Sequence, residues 1–143
     1  MKIQKYKVVL HREAKYTLEE HLNTPYTAHM FLKKMLRDEA QEVMSLVAVD
    51  AQSNAIGYFE VHRGTLTSSQ VAPAEILKRL LLCNAYGAII AHNHPSGCTI
   101  PSSADNRTYD GLKEILELVG IKLLDFIIIG DRVYSYMAKE YID

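Results

Sequence analysis

His92 and His94 are separated by one residue and followed by Pro95, Ser96 and Gly97. On a strand, side chains two apart point to the same side, so both imidazoles can aim at one point. Neutral imidazole is a nitrogen donor that suits zinc. Pro95 keeps His94 extended, and Gly97 lets the chain turn away. Taken alone, the pair equally describes two partly exposed histidines at a strand end. A second piece lies downstream, Ser102-Ser103-Ala104-Asp105. A serine followed three residues later by an acid is a capping box that starts a helix. The same first turn would fix the direction of the Asp105 carboxylate. A catalytic zinc takes three protein ligands and keeps a fourth position for water, and His92, His94 and Asp105 make such a set. Cys98, four residues after His94, is an alternative third donor if the loop folds back tightly, because thiolate binds zinc well. His11, His21, His29 and His62 show no paired spacing and read as surface or core-edge residues.

Those groups need elements to hold them, and hydrophobic periodicity supplies the elements. Lys2 to Arg12 reads as a leading strand, with Tyr6, Val8 and Leu10 alternating onto one face. Glu13 to Asn23 is a polar connection. Thr24-Pro25 is a helix start, followed by the stripe Met30, Phe31, Met35 and Leu36, with an end near Asp38. Val43 to Asp50 and Ile56 to His62 form a hairpin about a turn at Ala51 to Asn54. Ala72-Pro73 opens a second helix with Ile76, Leu77, Leu80 and Leu81 on its apolar face, capped within Asn84 to Gly87. Ala88 to His92 is a short buried strand, and Asn93 to Pro101 is a loop. A third helix starts at Ser102 or Ser103, buries Leu112, Ile115, Leu116 and Val119, and runs to about Gly120. Lys122 to Ile129 is a strand, Gly130-Asp131 a turn, and Val133 to Tyr136 the returning strand. The tail reads as a short helix. The order β-α-β-β-α-β-α-β-β predicts an α/β fold: a mixed sheet flanked by helices in three layers.

A chain of 143 residues fits one domain and can fold around its own core without disulfides. Residues 1–24 read as a strand and connection within that unit, and residues 25–143 as its catalytic body. Sixteen basic residues against seventeen acidic ones argue against strong nucleic-acid binding, which rests on phosphate contacts. Cys83 lies in an apolar run and reads as a small core residue. The start of the chain has no apolar core of a signal peptide, and no stretch approaches 18 apolar residues, so no membrane association is expected and the expected location is cytoplasmic. There is no glycine-rich phosphate loop. Ser68-Ser69 reads as turn chemistry.

At this point the chain resembles a known family. His92-x-His94-Pro95, six further residues, then Ser102-x-x-Asp105 is similar to the JAMM motif of zinc metallopeptidases, whose upstream glutamate sits in a context like Gln41-Glu42-Val43-Met44. The fuller match is to the RadC-like branch: Arg63-Gly64-Thr65-Leu66, Ala91 to Gly97, Pro101-Ser102 and Ile128-Ile129-Gly130-Asp131. It covers about residues 25 to 137. The resemblance implies an MPN/JAB, cytidine-deaminase-like fold and Zn2+ held by His92, His94 and Asp105. It also implies Glu42 as general base, Ser102 as the group steadying the oxyanion, and a peptide or protein substrate. Glu39 is the nearest competitor to Glu42 and reads as a solvated surface charge. Two departures stand out. Longer RadC-like proteins carry an N-terminal helix-hairpin-helix region for which this sequence leaves no room, which weakens the expectation of a DNA-repair role. The family's frequent Asp-His is Asp125-Phe126 here, a position outside the implied ligands.

Two rival readings remain. A nucleobase deaminase would show H-x-E and C-x-x-C, and this chain shows neither at these positions. A non-catalytic interaction module of the same fold would lack the ligands, which are present.

Overall fold

Val43 to Val49 is an unbroken run of apolar residues around Ser45, and such a run suits a strand covered on both faces. In the computed structural model, which describes residues 1–16, 25–64 and 73–142, it is β1, and every residue of it is buried. Helix α1 (Pro25–Leu36) precedes it. β2 (Ala55–Arg63) returns antiparallel along its edge. Then come α2 (Pro73–Leu82), β3 (Gly87–Asn93), α3 (Ser103–Leu118), β4 (Lys122–Ile129), β5 (Val133–Ser135) and β6 (Glu140–Tyr141). The described strands form one mixed sheet in the order β2-β1-β3-β4-β5-β6. β3 is antiparallel to β1 and parallel to β4, with α3 as the crossover that a parallel pair requires.

Alternation along the strands sends side chains to two cores. Met44, Leu46, Ala48, Ala88, Ile90, Phe126 and Ile128 pack with Ile76 and Leu80 of α2 and Leu112 and Leu116 of α3. Val43, Val47, Val49, Ile89, Ala91, Ile127 and Ile129 pack with Ala28, Leu32 and Leu36 of α1. The result is the expected three-layer α/β arrangement. On the α1 side a buried polar group pins helix to sheet. His29 Nε2 donates to Asp125 Oδ2 at 2.8 Å, and Ser135 Oγ donates to the same oxygen at 2.6 Å.

Several expectations change. Residues 1–16 contain neither helix nor strand and are exposed throughout, so the leading strand is not formed. The Tyr6, Val8, Leu10 alternation defines a face, but a strand also needs a ladder partner. The Tyr16 ring meets Phe31 and Tyr58 edge-on. Of the α1 stripe, Leu36 is buried and Phe31 and Met35 pack against the core with Ala28 and Leu32, while Met30 faces solvent. Leu81 and Val119, placed at the ends of their stripes, are also exposed. The tail forms the two-residue strand β6 beside β5 instead of a helix. The helix starts at Thr24 and Ala72 and the Ser68-Ser69 turn lie outside the described residues. Asn84 adopts φ 56° after α2, the left-handed cap expected there.

Candidate metal centre

Three separate pieces of chain meet at one end of the sheet. β3 is a central strand, and His92 lies in its last turn of ladder, opposite Met44 on β1 and Ile128 on β4. His92 shares a face with Ile90 and so points toward the α2/α3 side. Its ring lies 5.4 Å from the Phe126 ring. His94 follows just beyond the strand, with its N–H donating to Ile129 O at 2.8 Å. Its ring stands edge-on to that of His92, with centroids 4.9 Å apart. Glu42 immediately precedes β1, whose start lies at this same end because β1 runs antiparallel to β3.

Asp105 arrives on the first turn of α3. Ser102 is the N-cap in extended conformation, and the capping box is complete. Asp105 N–H donates to Ser102 Oγ at 3.0 Å, while Ser102 N–H and Oγ–H each donate to Asp105 Oδ2 at 2.7 Å. The capping and metal readings of this segment are therefore compatible, since the cap engages Oδ2 and leaves Oδ1 facing His92. Asp105 Oδ1 lies 3.0 Å from His92 Nε2, and Oδ2 lies 3.4 Å from His94 Nε2. His94 Nδ1 donates to Cys98 O at 2.6 Å, so Nε2 is the nitrogen that faces the Asp105 carboxylate.

The loop does fold back at Cys98, but it presents the carbonyl oxygen to His94, and the thiol is exposed. Cys98 is therefore not the third donor. Glu42 Oε1 lies 3.5 Å from His92 Nδ1. Glu42, His92 and His94 each offer a donor atom within 4.8 Å of the others. Asp105 is not part of that group: Glu42 stands at Nδ1 of His92 and Asp105 at Nε2, the latter at the shorter distance.

His92 is the telling residue. It is 3% exposed, and neither ring nitrogen has a hydrogen-bond partner, although carboxylates stand near both. A buried polar atom without a partner is rare and needs a reason. Donors on a tetrahedral zinc with bonds of about 2.0–2.1 Å lie roughly 3.3 Å apart. The 3.0 and 3.4 Å separations between imidazole nitrogen and carboxylate oxygen fit that spacing.

Charge states agree with the same use. Burial pushes His92 down to about 4, so at neutral pH it is the neutral imidazole that ligates metal. Burial would raise Asp105. Hydrogen bonds from His94 and Ser102 outweigh it and hold the carboxyl at about 2. The hydrogen bond to Asp105 raises His94, against the effect of its own burial.

Glu39 is otherwise engaged. The Arg63 guanidinium clasps its carboxylate at 2.6 and 3.1 Å, so it is an ion-paired group near the surface. Thr65 and Leu66 of the resembling motif lie outside the described residues. Sequence reasoning placed Phe126 outside the ligands, and it is, yet its ring lines the wall behind His92 and contributes to its burial. Gly130 reads from the sequence as a turn residue, and its contact with the loop after His94 is not visible there. A Cβ on Gly130 would overlap the Gly97 carbonyl and come within 2.7 Å of Thr99 Cγ2. The loop after His94 therefore rests directly on the β4–β5 turn.

Comparison with known proteins gives the family. Proteins named UPF0758 protein from Shewanella pealeana and Cellvibrio japonicus are 37% and 39% identical, covering 85% and 91% of this chain and 55% and 58% of their own length. One from Halorhodospira halophila is 41% identical over 83% of this chain and 53% of its own length. The chain spans a little over half the length of these curated relatives. A family model described as RadC-like JAB domain matches residues 22–141, and the chain belongs to that family.

Proposed function

We propose that the protein is a zinc-dependent hydrolase that cleaves a peptide or isopeptide bond. The observation that carries this reading is His92, buried, neutral, without a hydrogen-bond partner, and set beside His94 and Asp105 at the mouth of the sheet. His92, His94 and Asp105 would hold the ion. A zinc ion supplies acidification of water, from a pKa of 15.7 toward about 7, and polarisation of a carbonyl.

The rest falls to the chain. The Glu42 side chain is partly open to solvent, at 23%, and can exchange protons with what enters the site. Its carboxylate accepts the proton of the attacking water and delivers it to the leaving nitrogen. Asp105 and its Ser102 cap keep the third donor in one orientation before substrate arrives. Ser102 is the proposed oxyanion donor. Its hydroxyl proton rests on Asp105 Oδ2 at 2.7 Å, so this role requires the proton to swing to the substrate oxygen. The exposed start of α3 leaves space for that rotation.

The test combines metal analysis with a cleavage screen. The purified protein should hold about one zinc per chain and should cut at least one peptide or isopeptide substrate. Chelation should remove that activity, and added zinc should restore it. Protein that takes up no zinc when it is supplied would refute the proposal.

A further inference from the structure

Asn93 lies between the two histidines, yet its side chain does not join them. Strand alternation turns it to the face opposite His92, where it is 2% exposed. There its amide makes three hydrogen bonds, all to the backbone of the segment that carries Glu42. Val43 N–H donates to Oδ1 at 2.7 Å. Nδ2 donates to Glu39 O at 3.2 Å and to Gln41 O at 2.9 Å. The β1–β3 ladder ends at the Met44–His92 pair, so this side chain adds a rung just beyond the last backbone one. From the other side, Gly64 N–H donates to Glu42 O at 2.9 Å.

The geometry points to Asn93 as a positioning residue that holds residues 39–43 so that the Glu42 carboxylate stands at the imidazoles. The inference rests on the proposed reading of Glu42 as the proton carrier. The chemistry of the side chain is specific. An amide offers one acceptor oxygen and two N–H donors on a planar fork, and here one acceptor contact and two donor contacts are used. An ionised aspartate keeps the acceptor and loses both donors. Serine or alanine loses the reach. A single side chain on β3 thereby couples the strand that aims His92 to the segment that aims Glu42.

The test compares wild type, Asn93→Ala and Asn93→Asp by amide hydrogen exchange, zinc titration and steady-state kinetics. In Asn93→Ala the Val43 and Gly64 amides should exchange at least roughly tenfold faster, because local opening is no longer resisted there. The Leu46 and Ile90 amides at the centre of the ladder should keep their protection. Zinc stoichiometry should be retained. On a substrate found by the cleavage screen, kcat should fall with little change in KM, and the loss should nearly vanish when Glu42 is already Gln. Should Asn93→Ala not fold, Asn93→Asp decides: Val43 stays protected while the Gly64 amide, which donates to Glu42 O, exchanges faster. Wild-type exchange at Gly64 in both variants overturns the inference. Uniform acceleration across the ladder overturns it too, as does a full additional loss in the Glu42→Gln background. Wild type that binds zinc and cleaves no substrate would refute the hydrolase reading instead, and the exchange comparison alone would then decide the role of Asn93.

Discussion

His92 has to be buried and uncharged at the same time, and that requirement has a measurable consequence. Its folded pKa of about 4 lies below the ordinary 6.5. Between those values the unfolded chain binds a proton that the folded chain does not, so stability rises with pH there and falls on acidification. At about 1.4 kcal/mol per unit, the effect is bounded at roughly 3 kcal/mol. The zinc-free protein should therefore lose stability from pH 6.5 down toward 4, and His92→Gln should show a shallower slope in denaturant melts. An equal slope in both proteins would mean that His92 does not carry the effect. His92→Ala and His94→Ala should each lose most bound zinc while the domain still melts cooperatively, because the two apolar cores are built from other residues.

At the scale of elements, the site depends on how α3 and the loop before it are seated. Ser102→Ala removes the N-cap and one hydrogen bond to Asp105. It should lower stability by about 1 kcal/mol and weaken zinc binding, as read by thermal melts and competitive titration. Gly130→Ala should do more damage, because the added methyl meets the Gly97 carbonyl and Thr99. Overpacking of this kind costs roughly 1–3 kcal/mol, and the displaced loop should loosen His94. These two elements also show what a sequence can display. The Ser102 cap and the His92-x-His94 pair were legible because each rests on local geometry, a helix start and a strand alternation. The contact of Gly130 with Gly97 was not, because it joins residues whose distance in space depends on the register of β4. Asn93 was not legible: it reads as the first residue of the loop, and only the folded sheet extends β3 to it and shows what it meets.

At the scale of the whole molecule, the sheet separates the face that carries the candidate metal centre from a face fastened by α1. Asp125 accepts from His29, Ser135 and the Met137 backbone. Asp125→Ala leaves buried polar groups without partners and should cost roughly 3–5 kcal/mol, a fall in Tm of about 10 °C or more. Zinc stoichiometry measured below that Tm should not change, because the cluster makes no contact with the ligands. The strand and helix order from α1 to β5 was readable from periodicity, since each element buries a stripe or an alternate row. The two ends were not. Residues 1–16 have a strand-like alternation without a ladder, and the tail makes a strand too short for any periodic signal. Among the described residues no helix is long and apolar enough to cross a membrane.

The central claim is that Asp105, and not Glu42, is the third metal ligand beside His92 and His94, with Glu42 left to carry the proton. Both carboxylates stand within reach of His92, so removal of each decides between them. Zinc affinity should be measured by competition with a chromogenic chelator for wild type, Glu42→Gln and Asp105→Ala. Glu42→Gln should bind zinc nearly as wild type does while hydrolysis falls by roughly 100-fold to 10,000-fold, the span of a general base. Asp105→Ala should lose zinc. If Glu42→Gln loses its zinc and Asp105→Ala keeps it, the assignment of ligand and base is reversed and the account is contradicted.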